Sequence, residues 1–150
     1  MKRSAALTLL SHDHHHALVV AQRLRRAEDR SQATRELLDF WESQGREHFE
    51  VEEEVLVPTW LELDPDADRA LAERLADEHL VIRSLVRAAQ SGALDLDGLA
   101  ETGRLLADHV RFEERDLFPL IEGALRSGAL ATLGDEIGDR RTGSAPGRSS

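Results

Sequence analysis

The chain has 150 residues, a formal net charge of −10 and no cysteine. This length fits one domain, and the lack of cysteine excludes disulfides, thiolate metal sites and cysteine nucleophiles. The acidic balance argues against nucleic acid as a partner, because binding to phosphates needs clustered Lys and Arg. No apolar run approaches the roughly 20 residues that span a bilayer. We therefore expect a soluble, cytoplasmic protein with neither a membrane segment nor a signal peptide.

The first helix is predicted from about Ser4 to Glu28, where apolar residues recur at three- and four-residue intervals. His14 fits its buried face better than His12 or His15, which stay open as alternatives. If His14 points inward, His15 and His16 point away. The predicted buried face consists of Leu7, Leu10, His14, Ala17 or Leu18, Ala21 and Leu24.

Two more long helices are predicted next. The second starts between residues 31 and 34 and runs to about residue 63, and Pro58 is expected to end or kink it one turn early. Asp64 and Pro65 predict the start of the third helix, as an N-cap followed by a proline in the first helical position. Its end is expected near Ser91, with Gly92 as the C-terminal cap.

The fourth helix is expected from Asp95 or Asp97 to about Arg126, with a kink at Pro119. The segment SGALATLGDEIGDRR is a candidate for a short fifth helix. No strand is expected, because aromatic residues make up only 4% of the chain and β-branched alternation is missing. The pattern predicts an all-α fold, an antiparallel up-down-up-down four-helix bundle over residues 1–139. Residues 140–150 are expected to form a disordered tail.

One phrase occurs twice, as HFEVEEEVLVP from His48 to Pro58 and as HVRFEERDLFP from His109 to Pro119. A His and a Glu four residues apart in a helix lie about 40° apart around its axis, so they point the same way. Glu52 and Glu113 also share the buried face, where an unpaired carboxylate would be costly. Each phrase therefore predicts a His and a carboxylate aimed into the core.

The first and third helices also correspond, since Asp13-His14 matches Glu78-His79. The chain thus consists of two related helical hairpins. Each hairpin contributes one His from its first helix and a His-x-x-x-Glu pair from its second. Four His and two Glu are a natural ligand set for a dinuclear metal site in a bundle core. The candidate metal ligands are His14, His48, Glu52, His79, His109 and Glu113.

The ligand types indicate which metal is bound. Imidazole and carboxylate without sulfur suit Fe, Mn or Zn, but structural zinc prefers Cys-rich tetrahedral sites. Six ligands are too many for one zinc and suit two metals, with the two Glu bridging or chelating. Positions would remain for water, O2, peroxide or NO. The absence of HExxH argues against a zincin protease, and ferritin-like sites use Glu-x-x-His instead.

Over about residues 5–125 the chain resembles the hemerythrin-like family, also called HHE cation-binding domains. The resemblance rests on DHHHAL, HFEVEEEVLVP, EHLVIRSL and HVRFEERDLFP. It implies a four-helix bundle around a non-haem di-iron centre, with an oxo or hydroxo bridge and the six candidates as ligands. Mn or Zn would be substitutes for iron. Glu53 and Glu114 lie about 100° away on the helical wheel and are expected to support the ligands from outside or to face solvent.

One position departs from the family pattern. Members that carry O2 reversibly have a fifth His, usually one turn from the His of the third helix. Here Arg83 and Leu75 stand at those positions, so only His12 or His15 could replace it. Fewer His ligands imply a more open site, which favours reaction with peroxide or NO, O2 sensing or iron handling over stable O2 storage.

Four functions are compatible with the sequence. A binding or sensing protein would take a small diatomic ligand such as O2 or NO. An enzyme would consume peroxide or act as an oxidase, and Glu53, Glu114 and the spare histidines of the first helix are its candidate acids and bases. Iron storage or delivery is compatible with the acidic charge. A metal-free helical interaction module would tolerate replacement of all four candidate histidines. The oligomeric state does not follow from the sequence.

Overall fold

The computed structural model describes residues 3–143, and all regular secondary structure in that range is helical. Helix α1 covers Ala5–Arg25, α3 covers Arg69–Gln90 and α5 covers Ser127–Gly143. Helix α2 covers residues 30–63 and α4 covers residues 96–124. The predicted all-α class is confirmed, and the candidate fifth helix is present. Within residues 3–143, no helix combines the length and the apolar character needed to cross a membrane.

Helices α2 and α4 contain π-helical segments, in which backbone N–H groups bond to carbonyls five residues earlier. The successive segments of α2 are Arg30–Phe40, the π-helical Trp41–Gly45, Arg46–Val51, the π-helical Glu52–Leu56 and Val57–Leu63. Those of α4 are Leu96–Phe112, the π-helical Glu113–Leu117 and Phe118–Ala124. Each repeated phrase therefore contains a π-helical segment that begins at a candidate ligand carboxylate.

Pro58 does not end its helix early, because α2 continues past it to Leu63. Pro58 and Pro119 each lie in the first turn of the α-helical segment that follows a π-helical one. A proline has no N–H to donate, and its fixed φ of about −65° is compatible with helical backbone. Helical structure therefore continues beyond both prolines, and the expected early end at Pro58 is wrong.

The predicted start of α3 was four residues too early. Helix α3 begins at Arg69 and not at Pro65, because the Asp68 carboxylate accepts a hydrogen bond from the Ala70 N–H at 3.0 Å. Asp64 instead ends α2 and introduces the turn before α3. Both aspartates are followed by residues that suit a helix start, so local sequence alone favoured the wrong one.

The remaining helix ends follow the expected capping residues. Gly92 follows the end of α3 with a φ of 74°, which glycine adopts without a Cβ clash. The Asp95 carboxylate accepts from the Gly98 N–H at 2.8 Å and caps α4. Helix α5 reaches Gly143, so residues 140–143 are helical and do not belong to the expected tail. The rest of that tail lies outside the described residues.

Two apolar clusters fill the interior. On each of the four long helices, the candidate ligands lie near the point where one cluster gives way to the other. Of the two alternatives for the buried face of α1, Ala17 is buried, whereas Leu18 is 37% exposed. The largest buried side chains of the first cluster include Leu24, Leu37, Phe40, Trp41, Phe49 and Ile82. Those of the second include Leu7, Leu10, Trp60, Phe118, Ile121 and Ile137.

Candidate metal centre

Two pairs of histidines and two carboxylates meet between the apolar clusters. The first pair is His14 and His48, and the second pair is His79 and His109. With Glu52 and Glu113, either pair forms a buried group whose ligand atoms all lie within 4.8 Å of one another. None of these four histidines and two glutamates is more than 5% exposed. The structure therefore brings together all six residues that the sequence selected.

Each carboxylate faces both histidine pairs, one oxygen to each. The nearest oxygen–nitrogen distances are 3.1 Å from Glu52 Oε2 to His48 Nε2, 3.1 Å from Glu52 Oε1 to His79 Nε2, 2.7 Å from Glu113 Oε1 to His14 Nε2 and 2.8 Å from Glu113 Oε2 to His109 Nε2. Nitrogen and oxygen atoms at these separations converge on two neighbouring points. The arrangement allows the two carboxylates to be shared by two cations.

Several converging atoms have no hydrogen-bond partner. They are His48 Nε2, both oxygens of Glu52 and Glu113 Oε2, all buried. Nε2 of His79 and Nε2 of His109 face each other at 3.1 Å. A buried polar atom without a partner costs about 1–3 kcal/mol, and a cation bound among these atoms would give each of them a partner. The donor set, imidazole nitrogen and carboxylate oxygen, fits such a cation.

The outward nitrogen of every candidate histidine contacts a second carboxylate. The distances from Nδ1 are 2.5 Å for His14 to Glu114, 2.9 Å for His48 to Asp13, 2.6 Å for His79 to Glu53 and 2.7 Å for His109 to Glu78. An Nδ1–H that donates to a carboxylate fixes the ring orientation and leaves Nε2 to face a metal. We call these four residues the outer carboxylates.

Sequence reasoning identified two of the outer carboxylates and missed two. Glu53 and Glu114 were expected to support ligands or to face solvent, and they contact ligand histidines. Asp13 and Glu78 were recognised as matching residues but were assigned no role. Their position in the sequence could have indicated this role, because Asp13 and Glu78 each directly precede a candidate histidine. Glu53 and Glu114, in turn, each directly follow a candidate ligand carboxylate.

An arginine contacts each outer carboxylate. The pairs are Arg3 with Glu114 at 3.0 Å, Arg141 with Asp13 at 2.5 Å, Arg83 with Glu53 at 2.5 Å and Arg74 with Glu78 at 2.8 Å. Charge-assisted contacts of this kind hold a carboxylate in one orientation. Arg83, which stands where a fifth His was considered, therefore serves an outer carboxylate and does not face the centre.

The other histidines of α1 lie outside the centre. His12, His15 and His16 are exposed, whereas His14 is 4% exposed. The ring of His16 instead contacts Gln44 Oε1 at 2.9 Å. Among the histidines of the first helix, burial therefore favours His14, and His12 and His15 are exposed to solvent.

A comparison with models of protein families shows to which family the chain belongs. The family model of the Hemerythrin HHE cation binding domain matches residues 5–121. The chain belongs to this family. Comparisons with curated proteins and with solved structures gave no significant match. The matched range contains all six candidate ligands and ends before α5 begins.

Without a metal, protons hold the centre of this HHE domain together. Burial disfavours the charged form of His14, but Glu113 and Glu114 outweigh it and raise its pKa to about 9. Burial also opposes the charge on His79, whose pKa is raised to about 10 by Glu113, Glu52 and Glu53. The pKa of Glu113 lies well below its ordinary value despite burial, mainly because of His109. A metal that binds here must therefore displace protons.

A small cavity adjoins the first histidine pair of the HHE domain. Its volume is about 10 Å³, the room that one water-sized molecule needs. The cavity is lined by five apolar side chains, Gly45 and five polar side chains: Ala17, Phe40, Phe49, Leu106 and Val110, and Asp13, His14, Gln44, His48 and His109. A small uncharged molecule would fit this cavity better than a large or charged one.

Proposed function

We propose that this HHE domain binds two metal ions, one at each histidine pair, and that Glu52 and Glu113 are ligands to both. One observation carries the proposal: each of the two buried carboxylates presents one oxygen to each pair. A single ion would leave one pair of imidazoles and two carboxylate oxygens without a partner. Membership in a cation-binding family supports the same conclusion.

Iron is the proposed metal, and Mn or Zn are substitutes. The ligand set contains nitrogen and oxygen only, which suits these metals and leaves each ion with few protein ligands. Two irons so placed supply the capacity to bind or reduce a small oxidant. The protein holds them with His14 and His48 at one position, His79 and His109 at the other, and the shared carboxylates between.

The proposed ligand is a small oxidant, O2, peroxide or NO. The cavity beside the first pair holds one water-sized molecule and is mostly apolar, which suits a diatomic molecule. Iron storage would need easier exchange with solvent than six ligands that are at most 5% exposed provide.

Binding or sensing is favoured over turnover. Peroxide consumption needs a group that moves protons at the reacting atoms. The two candidate acids, Glu53 and Glu114, are held by His79 and His14 instead. Of the described residues that line the cavity, the acidic one is Asp13, which is already bonded to His48 and Arg141.

We also propose that the four long helices run alternately up and down around the centre. Arg3, just before α1, bonds Glu122 near the end of α4 at 2.7 Å. Conversely, a Cβ at Gly103, in the first half of α4, would lie 2.5 Å from the carbonyl oxygen of Ala21 near the end of α1. These contacts support opposite directions for α1 and α4.

Metal analysis with an absorption spectrum, before and after addition of peroxide, tests the proposed function. We expect about two irons per chain and ferric bands in the near-ultraviolet. One spectral change per added equivalent of peroxide would support binding, whereas continued loss of peroxide with recovery of the spectrum would identify an enzyme. Protein that binds no metal, with a Tm unchanged by ferrous iron, would contradict the proposal.

A further inference from the structure

Helix α5 is fixed firmly against α1 and α2, although it lies outside the range that matches the family. Leu133 and Ile137 are fully buried in the second apolar cluster. Gly134 lies so close to α1 that a Cβ there would be 2.9 Å from the Cα of Ala6. Helix α5 is therefore an integral part of the fold and not a loose appendage.

Arg141 of α5 contacts the carboxylate that orients a candidate ligand. Its guanidinium donates to Asp13 Oδ2 at 2.5 Å and to Oδ1 at 3.3 Å. Asp13 is only 7% exposed, and it also accepts from His48 Nδ1 at 2.9 Å and from Gln44 Nε2 at 3.0 Å. Asp13 thus connects α5 directly to the ring of His48.

The other three arginines of the outer carboxylates belong to the site-forming helices or adjoin them. Arg74 and Arg83 lie on α3, which also carries His79, and Arg3 directly precedes α1. Arg141 alone among these four comes from a helix without a candidate ligand. One of the two histidine pairs is therefore supported from outside the domain core, and the other is not.

We propose that α5 is a positioning element for the metal held by the first histidine pair. Arg141 holds the buried Asp13 carboxylate in place, and Asp13 fixes the His48 ring with its Nε2 facing the metal. A guanidinium keeps its charge throughout the ordinary pH range and contacts both carboxylate oxygens, so it restricts the carboxylate more than a water molecule would. This inference rests on the proposed function.

The coupling should act in both directions. If docking of α5 stabilises the metal at the first pair, metal at that pair stabilises the docking of α5 to the same extent. Metal at the second pair has no such link, because Arg83 and Arg74 support it from α3. The two ions are therefore expected to differ in their dependence on Arg141.

Arg141→Gln tests the proposal, with Arg140→Gln as the matched control. Arg140 is the neighbouring residue on α5 and pairs with Glu50 and Glu54 on the outside of α2. Each protein is loaded with ferrous iron, and release to an excess of chelator is followed in time. We expect Arg141→Gln to release one of two ions about 10–100-fold faster and the other at the wild-type rate. Arg140→Gln should match the wild type, and Arg141→Lys should lie between.

Hydrogen exchange supplies a second readout that does not depend on activity. Amides of α5 should exchange more slowly in the loaded wild type than in the metal-free wild type, and Arg141→Gln should lose this difference. Equal release from Arg141→Gln and the wild type would overturn the proposal, as would equal acceleration of both ions in Arg141→Gln and Arg140→Gln. A wild-type chain that binds no iron would overturn the proposed function itself, and this inference with it.

Discussion

Replacing Glu113 with glutamine is expected to abolish tight binding at both metal positions. Its oxygens lie 2.7 and 2.8 Å from imidazoles of the two histidine pairs, and the residue is fully buried. Glutamine keeps the shape but removes the negative charge and one acceptor. Changes to groups that only support a ligand cost about 10–100-fold in metal affinity, so loss of a shared ligand should cost at least about 100-fold at each position. Metal content after gel filtration and competition with a chelator measure it.

Glu114→Gln is the matched control, because Glu114 contacts the centre only through the outward nitrogen of His14. It should weaken the first position by about 10–100-fold and spare the second. His109→Ala should lower metal content sharply, whereas the exposed His16 can be replaced by alanine without loss. Glu113→Gln protein that retains about two irons per chain would refute the assignment of shared ligands.

The metal-free protein is expected to lose stability as the pH rises from 7 to 10. His14 and His79 have pKa values of about 9 and about 10 when folded, against 6.5 ordinarily. A raised folded pKa contributes stability that is complete below 6.5 and is lost as the pH passes through the folded value. One pKa unit corresponds to about 1.4 kcal/mol, so the Tm should fall by at least about 5 °C over this interval.

At acidic pH, the stability of the metal-free protein is expected to change in the opposite direction and to fall as the pH is lowered. The pKa of Glu53 is about 2, because His79 and Arg83 outweigh the effect of burial. A depressed folded pKa contributes stability that is present above 4.5 and is lost as the pH falls towards 2. The metal-free protein should therefore be most stable between pH 4.5 and 6.5. Thermal unfolding across the pH range measures both limbs.

Bound metal should prevent most of the loss of stability at alkaline pH. A metal-bound imidazole has already released the proton that the metal replaces, so it has no such proton left to lose as the pH rises. Loading at pH 7 should release protons, up to about three per chain, because His79 Nε2 and His109 Nε2 contact each other at 3.1 Å and share one proton between them. Calorimetry in buffers of different ionisation enthalpy counts these protons. A flat dependence of Tm on pH, together with no proton release, would contradict the protonated metal-free centre.

The burial of the six central residues could be predicted from the sequence, because each lies on the apolar face of its own helix. The phase of His14 with Leu10, and the spacing of His48 with Glu52, are local properties that helical periodicity fixes. Whether these residues bind metal remains a prediction. The same periodicity separated His14 from its exposed neighbours, since only one residue in that run lies in phase with the apolar face.

Contacts between helices could not be predicted from the periodicity of apolar residues in the sequence. The roles of Asp13 and Glu78 depend on which neighbouring helix faces them, and that is set by packing. Arg141 could not be placed because the docking of α5 depends on the close approach of Gly134 to α1. The start of α3 was missed for a smaller reason, since Asp64 and Asp68 both suit an N-cap.

The outer carboxylates link the four long helices in a cycle, in which each candidate histidine contacts an outer carboxylate of a different helix. The histidine of α1 uses a carboxylate of α4, that of α4 one of α3, that of α3 one of α2, and that of α2 one of α1. Each hairpin therefore carries half of the central ligands but needs the other hairpin to orient one of its histidines. Two identical copies of one hairpin, related by a twofold axis, would reproduce the whole set. The chain has the organisation of two related two-helix units joined in one polypeptide, and one such unit could bring the same six side chains together only as a homodimer.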